Sequence, residues 1–309
     1  MQKLPNFLHI GLSKAASTWI QNIFRKEKEL FFVYKTNFFF PLSSKNYEKG
    51  IEWYSDHFKN ASKKQIIIES QEHIILPIIH PELKCACTNL KSVELIANRI
   101  KKYIPDIKII LIVRNQVDML LSRYTQYVLQ GGKLGPSSFF DKLVFKNDSW
   151  VKNVDYRYSI IIDILYSVFD KSNVLILLQE DLKHNRKRFL DDLSKYLQHD
   201  LSPYYDKDKK SANVAPSYWG IQLIRFLNIL LVKHIETIES KTQTKAPYKV
   251  WLFLKNIIRI LDNFLIRKKQ KRKLLKHDQV ERIRQIFSSD NKKLSKLFGK
   301  KINKYCYYY

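Results

Sequence analysis

The sequence predicts an α/β protein: a central parallel sheet flanked by helices, continued by a helical, basic C-terminal portion. Three observations predict it. Strand-like apolar runs alternate with helical periodicity through the first two thirds of the chain, an order that gives a parallel sheet covered by helices. The clearest run, Lys108–Val113 (Lys-Ile-Ile-Leu-Ile-Val), is continuous and β-branched, as in strands covered on both faces. Hydrophobic residues make up 45% of the 309 residues, enough for a substantial core.

Phe7–Ile10 is a short apolar run ending at Gly11 and reads as a buried strand. From Ser17 to Phe24, the residues Trp19, Ile20, Ile23 and Phe24 fall on one side of a helix. The first unit is therefore strand, tight loop, helix. Gln65–Ile68 is a second strand, followed by Glu69-Ser70-Gln71-Glu72. Ser92 to Tyr103 is helical, with Val93, Ile96, Ala97, Ile100 and Ile104 at spacings of three and four until Pro105-Asp106 stops it.

Arg114 ends the strand at 108–113, and Val117 to Gln130 is the next helix, closed by Gly131-Gly132. Tyr156 to Phe169 is helical. Val174–Leu178 is a further strand ahead of Glu180-Asp181, and Phe189–Leu197 is a helix. Lys207 to Pro216 is a polar loop. Tyr218 to about Leu275 reads as helical, amphipathic and increasingly basic, ending in Arg267-Lys268-Lys269-Gln270-Lys271-Arg272-Lys273. A last helix, Asp278 to Phe287, leads into Asp290-Asn291-Lys292-Lys293-Leu294 and an aromatic tail. The expected organisation is a single domain over 1–309, with a helical basic insertion or lid at about 218–276.

The formal charge is +26. Such a surface attracts nucleic acid, anionic membranes, anionic polysaccharides or nucleotide cofactors, and does not choose among them. Cys85 and Cys87 are one residue apart, unlike the C-x-x-C of zinc or redox sites. With Cys306 they read as free thiols of a reducing compartment, and no metal site is visible. The apolar stretch near Met1 is too short for a signal peptide. The two most apolar segments, Ile221–Ile235 and Val250–Ile266, are broken by Arg225 and Lys233 and by Lys255, Arg259 and Asp262. The expected location is cytoplasmic, or peripheral at the inner membrane face.

Gly11-Leu12-Ser13-Lys14-Ala15-Ala16-Ser17-Thr18-Trp19 lies between a strand and a helix. A turn of this kind gathers backbone N–H groups at a helix N-terminus, where the dipole favours an anion. Ser17 and Thr18 add hydroxyls, Lys14 adds a cation, and Ala15 and Ala16 let a phosphate approach the backbone. The nucleotide-triphosphatase loop G-x-x-x-x-G-K-[ST] does not fit, because its second Gly is missing and Lys14 does not directly precede a Ser or Thr. The plain alternative is a helix N-cap by Ser17.

Lys14-Ala15-Ala16-Ser17-Thr18-Trp19 resembles the 5′-phosphosulfate loop of sulfotransferases that use 3′-phosphoadenosine 5′-phosphosulfate (PAPS). Many members carry glycine where Ala15-Ala16 stand here, and alanine restricts φ at those positions. Ile109 to Val117 resembles the family's 3′-phosphate segment, a strand ending in Arg with a Ser eight residues on. The pair here is Arg114 and Ser122, with Arg123 as a neighbour able to replace or support Arg114. Glu69-Ser70-Gln71-Glu72-His73 follows a strand, where many carbohydrate sulfotransferases carry a Glu as general base. Glu72 matches the Ser-x-Glu form of bacterial-type members and is favoured. Glu69 matches the form of the heparan sulfate enzymes, and His73 the base of the steroid and phenol branch. The ordinary alternative is that these carboxylates cap a helix. Lys209-Lys210-Ser211-Ala212-Asn213-Val214 falls where the family has a basic loop over the nucleotide, which assigns Lys210 and Asn213 to it. The C-terminal helix with Asp290-Asn291 also looks like that of bacterial-type members.

The resemblance implies the P-loop-like sulfotransferase fold and a donor bound by Lys14, Ala15, Ala16, Ser17, Thr18, Trp19, Arg114, Ser122, Lys210 and Asn213. It implies catalysis by Glu72 or Glu69 with Lys14, the product adenosine 3′,5′-bisphosphate, and no metal. The acceptor is expected to be a carbohydrate or glycan, with peripheral contact to an anionic membrane and no nucleic acid partner. Val250–Ile266 with its basic sequel suits such attachment, and suits a lid packed on the core equally. The competing classes are a basic nucleic-acid- or membrane-binding protein without catalysis and a nucleotide kinase on a related fold.

Overall fold

The computed structural model describes residues 2–12, 14–40, 44–72, 74, 90–141, 156–206, 215–235, 242–244, 248–265, 271–299, 301–305 and 307. Five parallel strands form the central sheet: β1 Phe7–His9, β2 Leu30–Tyr34, β3 Ile66–Ser70, β4 Lys108–Val113 and β5 Val174–Leu178. Their order is β2-β3-β1-β4-β5. Leu8 pairs with Glu69 on one side and Ile109 on the other, so β1 lies between β3 and β4. The chain first builds to one side of β1 and then to the other. Ligands of open α/β sheets bind at this kind of reversal, beyond the carboxyl ends of the strands. Ile109 to Val113 are all fully buried, as an uninterrupted β-branched strand requires.

Helices flank the sheet. They are α1 Ser17–Lys26, α2 Ser44–Glu48, α3 Gly50–Asp56, α4 Leu90–Tyr103, α5 Gln116–Leu129, α6 Pro136–Phe140, α7 Tyr158–Val168, α8 Gln179–His184 and α9 Arg186–Leu197. Asn115 caps α5: its side chain accepts from the backbone N–H groups of Val117 at 3.0 Å and Asp118 at 3.2 Å. Edge strand β2 is not among the elements expected from sequence. Its run Leu-Phe-Phe-Val-Tyr lacks alternation, and only Leu30 of its side chains is buried.

The stretch expected to be helical from 218 to about 275 is two helices, α10 Tyr218–Leu231 and α11 Tyr248–Leu265. Between them β6 Val232–Ile235 pairs antiparallel with β7 Thr242–Thr244. Val232, Ile235, Thr242 and Thr244 are β-branched, which disfavours helix and favours strand. The last long helix, α12 His277–Phe298, runs past the expected end at Phe287 and is followed by α13 Lys301–Lys304. Asp290 and Asn291 do not break it because their side chains are used inside. Asp290 accepts from the N–H groups of Tyr158 (3.0 Å) and Ser159 (2.9 Å), capping α7, and Asn291 accepts from Gln116 at 2.9 Å.

The α10–α11 pair is clasped to the end of α5 by one buried amide. Asn228 Nδ2 donates to the carbonyls of Val128 (2.7 Å) and Gly132 (2.9 Å), and its Oδ1 accepts from Trp251 Nε1 (2.9 Å). Lys255 Nζ donates to the Leu129 carbonyl at 3.2 Å. Asn228→Ala leaves these buried groups short of partners, at about 1–3 kcal/mol for each one stranded. The expected result is a loss of roughly 3 kcal/mol of stability, read as a lower urea midpoint at unchanged slope.

Candidate active site

The loop after β1 turns sharply to enter α1. Lys14 (φ 73) and Ala16 (φ 68) are both left-handed, with buried Ala15 between them. Each such residue costs an L-amino acid roughly 1–2 kcal/mol, a cost that glycine at position 16 would not bear. Gly11 meets a different demand. A methyl group there would sit 2.8 Å from the His9 ring and 2.9 Å from Ser17 Oγ. Ser17 is buried, and its hydroxyl reaches the Leu12 carbonyl at 3.4 Å. Ala16, at the N-cap of α1, supplies no side-chain cap to this helix.

Three cations converge on this loop. The guanidinium of Arg114, directly after β4, donates to the Lys14 carbonyl at 2.8 Å. Lys14 Nζ donates to Gln126 Oε1 of α5 at 3.1 Å. One turn earlier on the same helix face, Arg123 is only 5% exposed, and none of its three guanidinium nitrogens has a hydrogen-bond partner among the described residues. Burial lowers the Lys14 ammonium's pKa below its ordinary value; Arg123 and then Arg114 lower it further, while Glu72 partly restores it. A buried, unpaired arginine beside a repelled lysine is costly in the free protein and suits an incoming polyanion.

The two glutamates after β3 differ completely. Glu69 lies inside the strand and is fully buried. It accepts from the Thr36 N–H (3.1 Å), the Thr36 hydroxyl (2.6 Å), the Tyr54 hydroxyl and Gln71 Nε2 (2.6 Å). No edge of it remains to meet an acceptor. Glu72 lies beyond the strand end and is half-buried. It accepts from Gln21 Nε2 of α1 at 2.8 Å, and Lys14, Lys35 and Arg25 all act on its charge. Burial raises the Glu72 carboxyl above its ordinary range, with Gln21 and then Lys14 opposing the rise.

A polar chain stands behind Glu72. Gln21 Nε2 also donates to Ser70 Oγ at 2.9 Å, and Ser70 Oγ lies 2.8 Å from His9 Nδ1. Burial pushes the His9 pKa down to about 4, so its ring is neutral near pH 7. The turn carrying Arg114 is held from the far end of the chain. Glu180 of α8 accepts from the Asn115 N–H (2.9 Å) and the Tyr307 hydroxyl (3.1 Å), and Asn115 Nδ2 donates to the Tyr305 carbonyl (3.3 Å).

The structure thus brings Lys14, Ser17, Arg114, Arg123 and Glu72 to the carboxyl edge of β1, β3 and β4. Ser122 is half-buried on α5 beside Arg123, and Thr18 is exposed at the start of α1. Trp19 turns into the core, edge-on to Phe189 at 6.2 Å and under Arg186 at 5.6 Å. His73, Lys210, Asn213 and the three cysteines lie outside the described residues. Sequence reasoning missed Gln21 and Gln126. Their signal was positional: Gln21 is one turn from Ser17 on the apolar face of α1, and Gln126 one turn from Arg123.

Fold and site together define a parallel α/β protein with clustered cations at the strand ends and a carboxylate beside them. The chain belongs to the sulfotransferase domain family, whose model matches residues 4–215. No curated protein sequence matches the chain. Among solved structures it is similar to the sulfotransferase of Alicyclobacillus acidocaldarius, with 15% identity and a TM-score of 0.48 over 72% of this chain and 91% of that one. It is also similar to mouse sulfotransferase SULT7A1 complexed with PAP, with 13% identity and a TM-score of 0.49 over 98% of this chain and 88% of that one. The α10–α11 pair and α12 lie beyond the residues that the family model matches.

Proposed function

We propose that the chain transfers a sulfuryl group from PAPS to a hydroxyl or amine, with a carbohydrate or glycan as the acceptor class. The observation that carries the donor assignment is the buried Arg123 with three unpartnered guanidinium nitrogens beside Lys14 and Arg114. A donor with phosphate at both ends of its ribose supplies the charge this cluster lacks. In the reaction the acceptor oxygen bonds to sulfur, the sulfur–oxygen bridge to the 5′-phosphate breaks, and one proton leaves the acceptor.

Each residue has a place in that balance. Glu72 takes the acceptor's proton, for which it needs to come within about 2.6–3.2 Å of the hydroxyl. Lys14 neutralises the charge that grows on the bridging oxygen, help that acts where charge appears in the transition state. Ser17, Thr18 and the first N–H groups of α1 hold the 5′-phosphate. Arg114, Arg123 and Ser122 hold the 3′-phosphate, which separates PAPS from ATP. Gln21 fixes Glu72 through their hydrogen bond. A carbohydrate acceptor is supported by the Glu72 carboxylate at this place and by the +26 charge, which suits an anionic sugar.

Thermal unfolding with adenosine 3′,5′-bisphosphate, ATP and heparin tests the donor. Saturating bisphosphate at about 100 times its Kd stabilises by about 2.7 kcal/mol, a rise of about 4 °C for a chain of this size. The expected result is that rise with the bisphosphate and a much smaller one with ATP. An equal response to any polyanion overturns the reading. Labelled sulfate transfer from PAPS to a panel of glycans and phenols then tests the acceptor class; labelling of phenols alone would exclude the carbohydrate.

A further inference from the structure

Helices α10 and α11 each carry two apolar stripes. On α10, Ile221, Ile224 and Asn228 point inward and are buried. Trp219, Leu223, Phe226 and Leu230, at spacings of four, three and four, form a second stripe that is exposed. On α11, Trp251 and Asp262 are buried, whereas Phe253, Ile260 and Phe264 are exposed. The largest exposures are 65% for Trp219, 67% for Ile260 and 84% for Phe264. A surface helix of a soluble domain turns a polar face outward, and these two do not.

Charge accompanies the exposed stripes. Between Tyr248 and Lys276 the sequence has ten Lys or Arg and one acidic residue, Asp262. Asp262 is spent inside, accepting from the Ser217 N–H at 2.7 Å and from the Ser217 hydroxyl. The basic run 267–273 follows α11 directly and ends at Leu274 and Leu275, both buried in the core. No helix among the described residues is long and apolar enough to cross a membrane.

We propose that the α10–α11 pair seats the protein on an anionic phospholipid surface, with the exposed stripes entering the acyl boundary and the basic charge of this part of the sequence favouring negative head groups. An anionic bilayer answers both features at once, apolar depth and negative charge. A second copy of the chain would cover the stripes but would bring an equal positive run against this one. A nucleic acid would answer the charge and leave the aliphatic stripes wet. Attachment here sits close to the chemistry. The clasp to Val128 and Leu129 is about one turn of α5 from Gln126, the partner of Lys14. The inference stands without the sulfuryl-transfer reading, since its readout is binding.

Flotation with vesicles tests it. Wild-type protein is expected to float with roughly 70:30 phosphatidylcholine–phosphatidylglycerol vesicles at about 0.15 M salt and not with phosphatidylcholine alone. Trp219→Ser, Phe226→Ser, Phe253→Ser and Phe264→Ser combined leave the net charge at +26, and are expected to cut partitioning roughly tenfold or more without lowering the melting temperature. Should the combination fold poorly, Phe264→Ser alone and bromolipid quenching of tryptophan, lost in Trp219→Phe, give the same reading. Equal flotation of the combined variant shows charge alone at work and overturns the proposal. So does a concentration-dependent dimer that the same substitutions dissolve.

Discussion

Arg123→Leu is expected to melt at a higher temperature than the wild type when free, and to gain almost nothing from adenosine 3′,5′-bisphosphate. The two halves of this result share one cause. In the free protein the Arg123 guanidinium is buried, without hydrogen-bond partners among the described residues, and repels Lys14. Exchanging an uncompensated buried charge for an apolar side chain relieves that penalty, by about 1–3 kcal/mol, or roughly 2–5 °C here. In the proposed complex the same nitrogens would make charged hydrogen bonds, at about 1.5–3 kcal/mol each. Losing two of them weakens binding by about a hundredfold or more. Calorimetric titration beside a melting curve reads both effects. Wild-type affinity in Arg123→Leu would remove Arg123 from the donor site. Arg114→Leu should behave differently, since Arg114 also ties down the loop through the Lys14 carbonyl.

The second large effect separates the two glutamates. Glu72→Gln is expected to lower kcat by about 10²–10⁴ with donor affinity nearly unchanged. The amide oxygen can still accept from Gln21, so the geometry survives while the base is lost. In the proposed mechanism, the ionised Glu72 carboxylate is the active form. Burial raises its pKa, so the rate falls with falling pH at a value above the ordinary carboxylate range and is complete on the alkaline side. Glu69→Gln should do the reverse: it replaces an acceptor of four hydrogen bonds with a group that brings donors toward Tyr54 and Thr36. Stability drops, while turnover per folded molecule stays within a few-fold. Steady-state kinetics across pH, with a denaturation curve for each variant, distinguish the two. Full turnover in Glu72→Gln would dismiss it as the base.

The strand–helix order of the first two thirds was legible because continuous β-branched runs and spacings of three and four have few other readings. Val113-Arg114 and Lys14 to Trp19 were legible for the same reason: each follows a strand whose end was clear. The choice between Glu69 and Glu72 was not, and the cause is small. The expected strand stops at Ile68, whereas β3 continues to Ser70. Two more residues of strand place Glu69 within the sheet, against Tyr54 and Thr36, and leave Glu72 at the rim. Neither partner is near it in sequence. The inward use of Asp290 and Asn291 was equally hidden, because their partners lie on α7 and α5. Gln126 and Gln21 are polar residues on otherwise ordinary helices, and only the folded packing turns them toward Lys14 and Glu72.

Tyr305 and Tyr307 bear on how the molecule is made. The turn presenting Arg114 is braced by groups 190 and 127 residues further along the chain than the atoms they bond. A ribosome delivers those tyrosines long after the sheet has emerged. The nascent chain can therefore assemble its β strands early, while the brace on the turn that presents Arg114 waits for residues 305 and 307.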